Sequence, residues 1–181
     1  MDRLKRAALI TRLLQNLRDK GSWCGETHAQ KAAFFAQHLM EVPLEFDFIL
    51  YKHGPFSFDL RDELTSLRAD GLIQLVPRWP YGPTIKPTDL AEKLQNNYTK
   101  TLKQHEKKIA FVADKLGAKG VADLERLATA LYVTKQKRTD EQPEKRAKKL
   151  SELKPHIRID QAQAAIDELD QIIKEAQEII H

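Results

Sequence analysis

Between Phe46 and Ile85 the chain carries its most restrictive run of signals. An apolar segment, Phe46, Phe48, Ile49 and Leu50, meets Gly54-Pro55, where glycine frees the backbone to turn and proline withholds the N–H that a helix or inner strand would need. Ser57 then stands ahead of Leu60, Leu64 and Leu67, which fall on one face of a helix, and Gly71 supplies the stop. Leu72-Ile73-Gln74-Leu75-Val76, a turn rich in proline and aromatics from Pro77 to Pro83, and Thr84-Ile85-Lys86 predict a hairpin after it. A capped helix followed by a two-stranded wing predicts a winged helix.

The flanking segments fit that frame. Residues Arg3 to Lys20 predict a first helix, with Ala7, Ile10, Leu14 and Leu17 on one stripe and basic residues opposite. Thr27-His28-Ala29-Gln30 has the form of a capping box, so a second helix is expected from there to about Met40. Thr88 can cap the next helix, and Leu90, Leu94, Tyr98, Leu102, His105, Ile109, Val112 and Leu116 recur at spacings of three or four. That stretch is either one rigid connector or two helices broken near Gln95-Asn96-Asn97, because asparagine is a weak helix former. Helices over about 121–134, from Pro143 to about Leu153, and from Asp160 onward make a terminal bundle. The expected fold is mainly α with a small β wing: a winged helix-turn-helix over 1–87, a connecting helix over 88–117 and a helical bundle over 118–181.

Composition removes several function classes. With 181 residues and 41% hydrophobic content a packed core is expected rather than disorder. One cysteine, Cys24, allows no internal disulfide framework and points to a reducing, cytoplasmic setting. No apolar run reaches the roughly 18 residues of a membrane span, and the N-terminus leads into an amphipathic helix, so no membrane role is expected. The formal charge of +4 and pI near 9.1 permit nucleic-acid contact without requiring it.

The blocks Thr27-x-x-Gln30-Lys31-x-x-Phe34-Phe35, Tyr51-Lys52-His53-Gly54-Pro55-Phe56-Ser57, Leu60, Asp62, Leu64, Leu67 and Gly71-Leu72-Ile73 resemble the prokaryotic YwgA-like winged-helix proteins. These in turn resemble the Panacea antitoxin-like domain, with its shorter Gln-Lys and Tyr-Gly-Pro signatures. Leu124-Glu125-x-x-Ala128-Thr129-x-x-Tyr132 and Leu153-Lys154-Pro155-His156 extend the resemblance into the second half. It implies a prokaryotic defence or toxin–antitoxin setting, with a toxin, nuclease or other defence component as protein partner. The alanines at 29, 32 and 33 and the long wing turn depart from the family pattern and bear on the antitoxin role more than on the fold.

Candidate chemistry is sparse. Seven glycines scattered singly leave no phosphate loop, and no Ser-His-Asp arrangement, zinc-protease helix or paired-carboxylate motif occurs. No catalytic residue, metal site or cofactor is therefore expected. His53 lacks a partner at a recognisable spacing, and Cys24, Glu26 and His28 are too few ligands for a metal. Tyr51 and His53 are read as tying the turn to the preceding helix.

Two surfaces remain. Arg78, Trp79 and Tyr81 put a cation and two aromatics at the wing tip, and Phe56 and Phe58 add apolar anchors, together a protein-binding surface. The helix from Ser57 carries Asp59, Asp62, Glu63 and Asp70 against Arg61 and Arg68, which argues against insertion into a DNA groove. Should DNA be bound, the contacts fall to Lys86, Lys103, Lys107, Lys108, Lys135, Lys137 and Arg138, with a dimer formed through the long helix. The favoured function is a non-catalytic interaction protein, with a DNA-binding regulator as the alternative.

Overall fold

The computed structural model describes residues 1–136 and 142–180, which are mainly helical with two small two-stranded sheets. Helix α1 (Arg3–Asp19) begins at Asp2, whose carboxylate accepts the Leu4 N–H at 2.8 Å. Its consecutive residues Ala7 to Thr11 are all buried, together with Leu13, Leu14 and Leu17. One apolar stripe was expected; the helix is instead enclosed on several sides by α2 (Glu26–His38), α4 (Asp89–Asn97), α5 (Thr99–Leu116) and β4 (Tyr81–Pro87).

Helix α2 corrects the capping-box reading. It starts at Glu26 behind Gly25, which has no side chain to cap with, so Thr27 already lies inside the helix. Gln30 is fully buried and its amide brackets Ser57: Nε2 donates to the Ser57 carbonyl and Oε1 accepts the Ser57 N–H, each at 2.9 Å. A buried amide needs partners, and packing offered a better one than the helix's own first turn.

Strands β1 (Ile49–Tyr51) and β2 (Gly54–Phe56) form a hairpin around Lys52-His53. Gly54 sits at φ +86°, and a Cβ there would lie 3.0 Å from Thr129 Oγ1. Gly54→Ala should therefore lower the unfolding free energy by about 2 kcal/mol, combining left-handed strain with displacement of Thr129. Urea unfolding of the variant measures this, and a loss under about 0.5 kcal/mol would show that the loop accommodates a side chain.

Ser57 caps α3 (Phe58–Ala69) as expected, its Oγ accepting the Leu60 N–H at 3.1 Å, and Gly71 at φ +72° ends it. Strand β3 (Ile73–Arg78) pairs antiparallel with β4, Leu75 opposite Ile85 and Arg78 opposite Tyr81. The hairpin is longer than expected and its turn shrinks to Trp79-Pro80. Pro77 is accommodated at a register irregularity between Val76 and Arg78, so it does not end the strand.

The stretch after Thr88 is broken, with Tyr98 at φ −119° and ψ 32° between α4 and α5. Thr88 stands at the N-cap position, but its hydroxyl donates to the Gly71 carbonyl at 2.6 Å rather than capping the helix. Both helices lie along α1: Gln95 donates to buried Thr11 at 3.1 Å, and a Cβ on Gly117 would come within 2.5 Å of Lys20 Cβ. Helices α6 (Val121–Gln136), α7 (Pro143–Leu153) and α8 (Ile159–Ile180) follow, with Arg146 of α7 gripping Asp170 of α8 through two bonds of 2.8 and 2.6 Å. The buried apolar side chains form one contiguous set from Ala7 to Ala176.

Candidate interaction groove

Helical and strand periodicities converge on one depression. On α3, Arg61, Leu64, Thr65 and Arg68 fall at spacings of three and four and share a face. On β3, Ile73 and Leu75 alternate onto the same side, with Ile85 opposite Leu75 on β4. The segment before α2 closes the third side, held by the Ile85 N–H on the Cys24 carbonyl at 2.8 Å and the Thr84 hydroxyl on the Trp23 carbonyl at 2.8 Å. These walls, with Val121, enclose a groove of about 450 Å³, within the size range of ligand and side-chain pockets.

Its rim is aromatic and basic. The Trp23 and Tyr81 rings stack with centroids 6.1 Å apart, and the Arg78 guanidinium lies over both, 3.5 Å from the Trp23 centroid and 4.7 Å from that of Tyr81. Tyr81 and Arg78 line the groove, whereas Trp79 at the turn is 93% exposed and touches none of it. Phe56 and Phe58 form a second aromatic patch with Tyr51, their centroids 5.1 to 5.7 Å apart. Arg61 joins the two, its guanidinium 5.0 Å from the Phe58 centroid.

The acidic count of α3 resolves into faces. Arg3 of α1 takes Asp70 at 2.7 Å and Glu63 at 3.3 Å, and Asp62 lies 3.4 Å from Arg61. Arg61 and Arg68 are left on the groove side. The net charge of the helix thus misstates the charge of the surface it presents.

A buried charge cluster joins α2, α6 and the end of α7. Lys31 of α2, 2% exposed, donates to the Pro55 carbonyl at 2.9 Å. Lys154, just past α7, donates to the carbonyls of Tyr51 and Lys52, the latter at 2.6 Å. Glu125 of α6 faces both: it is 3.9 Å from Lys154, accepts from His156 Nε2 at 3.1 Å and lies 3.8 Å from His53 Nδ1. Burial pushes Lys31 down to about 8, with Glu125 pulling the other way, and lowers Lys154 for the same reason. The Tyr51–Gly54 turn is thereby tied to α2 and also to the end of α7, the opposite half of the sequence.

Cys24 and His28 do not converge. The Cys24 thiol is buried, donates weakly to the Leu14 carbonyl at 3.8 Å and is pushed up to about 12 by loss of solvent. His28 is lowered by burial and bonds the Lys119 carbonyl at 3.1 Å. Among the described residues no group of three or more His, Cys, Asp or Glu could hold a metal ion, and no helix is long and apolar enough to cross a membrane.

Among the described residues, those read as nucleic-acid contacts are dispersed. Lys86, next to Ile85 on β4, is exposed and lies outside the groove lining. Lys103 and Lys107 lie on the outer side of α5, away from the buried Leu102, His105 and Ile109, while Lys108 is half-buried and close enough to His105 to act on it. His38 is lowered by burial and further by Lys135, which places that lysine by the C-terminal end of α2, while the groove opens at its N-terminal end. Thirteen residues separate those ends by about 20 Å. Lys137 and Arg138 lie outside the described residues. Lys115 and Lys119 are neutralised by Glu175 and Glu168 of α8, each at 2.5 Å.

Sequence reasoning missed Trp23, Arg61 and Arg68 as surface residues and Lys31, Glu125 and Lys154 as a cluster. The i, i+4, i+7 spacing of Arg61, Thr65 and Arg68 was a usable signal, as was a lone lysine among the small residues of α2. No family model matches the chain, and a comparison with curated proteins found no match.

Proposed function

We propose that the chain is a non-catalytic winged-helix interaction protein that binds a partner protein through the groove between α3 and the β3–β4 hairpin. In this reading the hairpin is the wing and α3 the helix beside it. The observation that carries it is the open apolar wall: Trp23, Leu75, Tyr81 and Val121 are exposed side by side around one depression, where a folded chain in water would otherwise cover them. Tryptophan, tyrosine and arginine are also the residues that dominate binding energy at protein interfaces. The resemblance to YwgA-like and Panacea proteins supports a defence or toxin–antitoxin setting with a toxin, nuclease or other defence component as partner.

In-cell cross-linking of the full chain, in a prokaryotic host carrying its own gene neighbourhood, tests this. The Trp23→Ala/Tyr81→Ala protein should recover at least about tenfold less of a specific partner, as loss of two aromatic anchors predicts. Circular dichroism checks that the variant is folded, and equal recovery rejects the groove as the binding surface.

One observation favours a second reading, a DNA-binding regulator: Arg61, Thr65 and Arg68 present a polar line on α3 beside the hairpin. Against it, Lys86, Lys103, Lys107 and Lys135, read from the sequence as nucleic-acid contacts, all lie outside the groove. Duplex binding that weakens by orders of magnitude between about 50 and 200 mM salt, and is abolished by Arg68→Glu, would replace the first reading with this one.

A further inference from the structure

We propose that the groove recognises an acidic segment of its partner, with an aromatic or branched apolar side chain seated on Leu64, Leu75 and Ile85 and flanking carboxylates held by Arg61, Arg68 and Arg78. This rests on the reading of the chain as a protein-binding module and adds the chemistry of what it binds.

Charge complementarity carries the inference. Three arginines line the groove against one acid, Glu26. Arg3 draws Glu63 and Asp70 away, and Asp62 stays with Arg61 at 3.4 Å, so Arg68 and Arg78 are the groove arginines that face no carboxylate of α3. Arg68 is exposed, and among the described residues neither it nor Arg78 has a hydrogen-bond acceptor. Arg78 is nevertheless held in place by Trp23 and Tyr81, so its N–H edge is pre-oriented and loses little freedom on meeting a carboxylate. The first-turn amides of α2 add to the positive side, because Gly25 gives them no side-chain acceptor.

The apolar floor decides between kinds of anion. A duplex backbone would meet the arginines but leave Leu75, Tyr81 and Trp23 facing water. A peptide with one buried apolar residue among acidic neighbours satisfies both the floor and the rim. The groove's volume of about 450 Å³ suits one large side chain with its flanking backbone.

Panning a random-sequence peptide library against the immobilised full chain tests this directly. Enriched peptides should carry two or more Asp or Glu around a Trp, Phe, Leu or Ile. A fluorescein-labelled winner should bind at least about tenfold more weakly to the Arg68→Glu protein, and more weakly still to Arg61→Glu/Arg68→Glu. Panning on the double variant should shift enrichment toward Lys and Arg. No enrichment, enrichment without acids, or binding indifferent to charge reversal each overturns the inference, and so does displacement of the winner by single- or double-stranded DNA. Both arginines are surface residues, so the variants should melt as the wild type does; Arg68→Ala serves if charge reversal disturbs the fold. Native partner lost on Trp23→Ala/Tyr81→Ala while selected peptides lack acids would sink only this inference. Acidic peptides bound with no groove-dependent native partner would sink only the functional reading above.

Discussion

A Glu125→Gln protein should melt about 9 °C below the wild type. The substitution keeps the shape of the side chain and removes its charge, leaving Lys154 with no facing carboxylate and Lys31 with only the weaker pull of Glu26. Removing one partner from a buried charge group typically costs about 3 kcal/mol or more, and for a chain of this length each kcal/mol moves the melting temperature by roughly 3 °C. A shift under about 2 °C would mean that the backbone carbonyls of Tyr51, Lys52 and Pro55 stabilise the two ammonium groups unaided. The distinction matters, because Glu125 and Lys154 tie the Tyr51–Gly54 turn to the C-terminal helices.

The Lys31 contribution to stability should rise with pH across the alkaline range, against an opposing contribution from Cys24, whose raised thiol favours the unfolded chain above about pH 9. The Lys31 ammonium is pushed down to about 8 in the folded chain, chiefly by burial, against an ordinary value of 10.5. Between those limits the unfolded chain holds a proton that the folded chain has released, so raising the pH favours folding. Below pH 8 both states are protonated and the burial penalty is fully present; above 10.5 it is gone. The span corresponds to about 3 kcal/mol. The measurement is urea unfolding of wild type and Lys31→Met at steps from pH 7 to 10.5. The difference between the two should move in the wild type's favour by about that amount. A difference flat in pH would show that Lys31 keeps its ordinary affinity for the proton.

Much of the local architecture was legible. The Ser57 cap, the Gly71 stop, the β3–β4 hairpin and the terminal helices rest on signals a few residues apart, and these the structure reproduces. The failures share a cause. Thr27 and Gln30 match a capping box, but Gln30 spends its amide on Ser57, 27 positions away. Pro77 reads as a strand breaker, and a register irregularity absorbs it. Each local pattern had a competing partner that only packing brought within reach.

The groove shows the same division. Arg78 and Tyr81 were visible as a basic aromatic cluster, but Trp23 joins them from the far side of α2 and could not be placed by spacing. Trp79, next to them in the chain, stands exposed at the hairpin turn and outside the groove.

What the amino-acid sequence determined alone was the order of most helices and of the β3–β4 hairpin, the turn at Gly54, and the Ser57 start and Gly71 stop of α3, because these depend on contacts within a turn or two of the chain. Tertiary structure decided the sign of the surface. Arg3 removed two acids from the face of α3, and a lysine 103 positions away closed the Tyr51 turn. Charge and hydrogen bonding act through space, and a formal count along the chain carries no information about which groups will face each other once it folds.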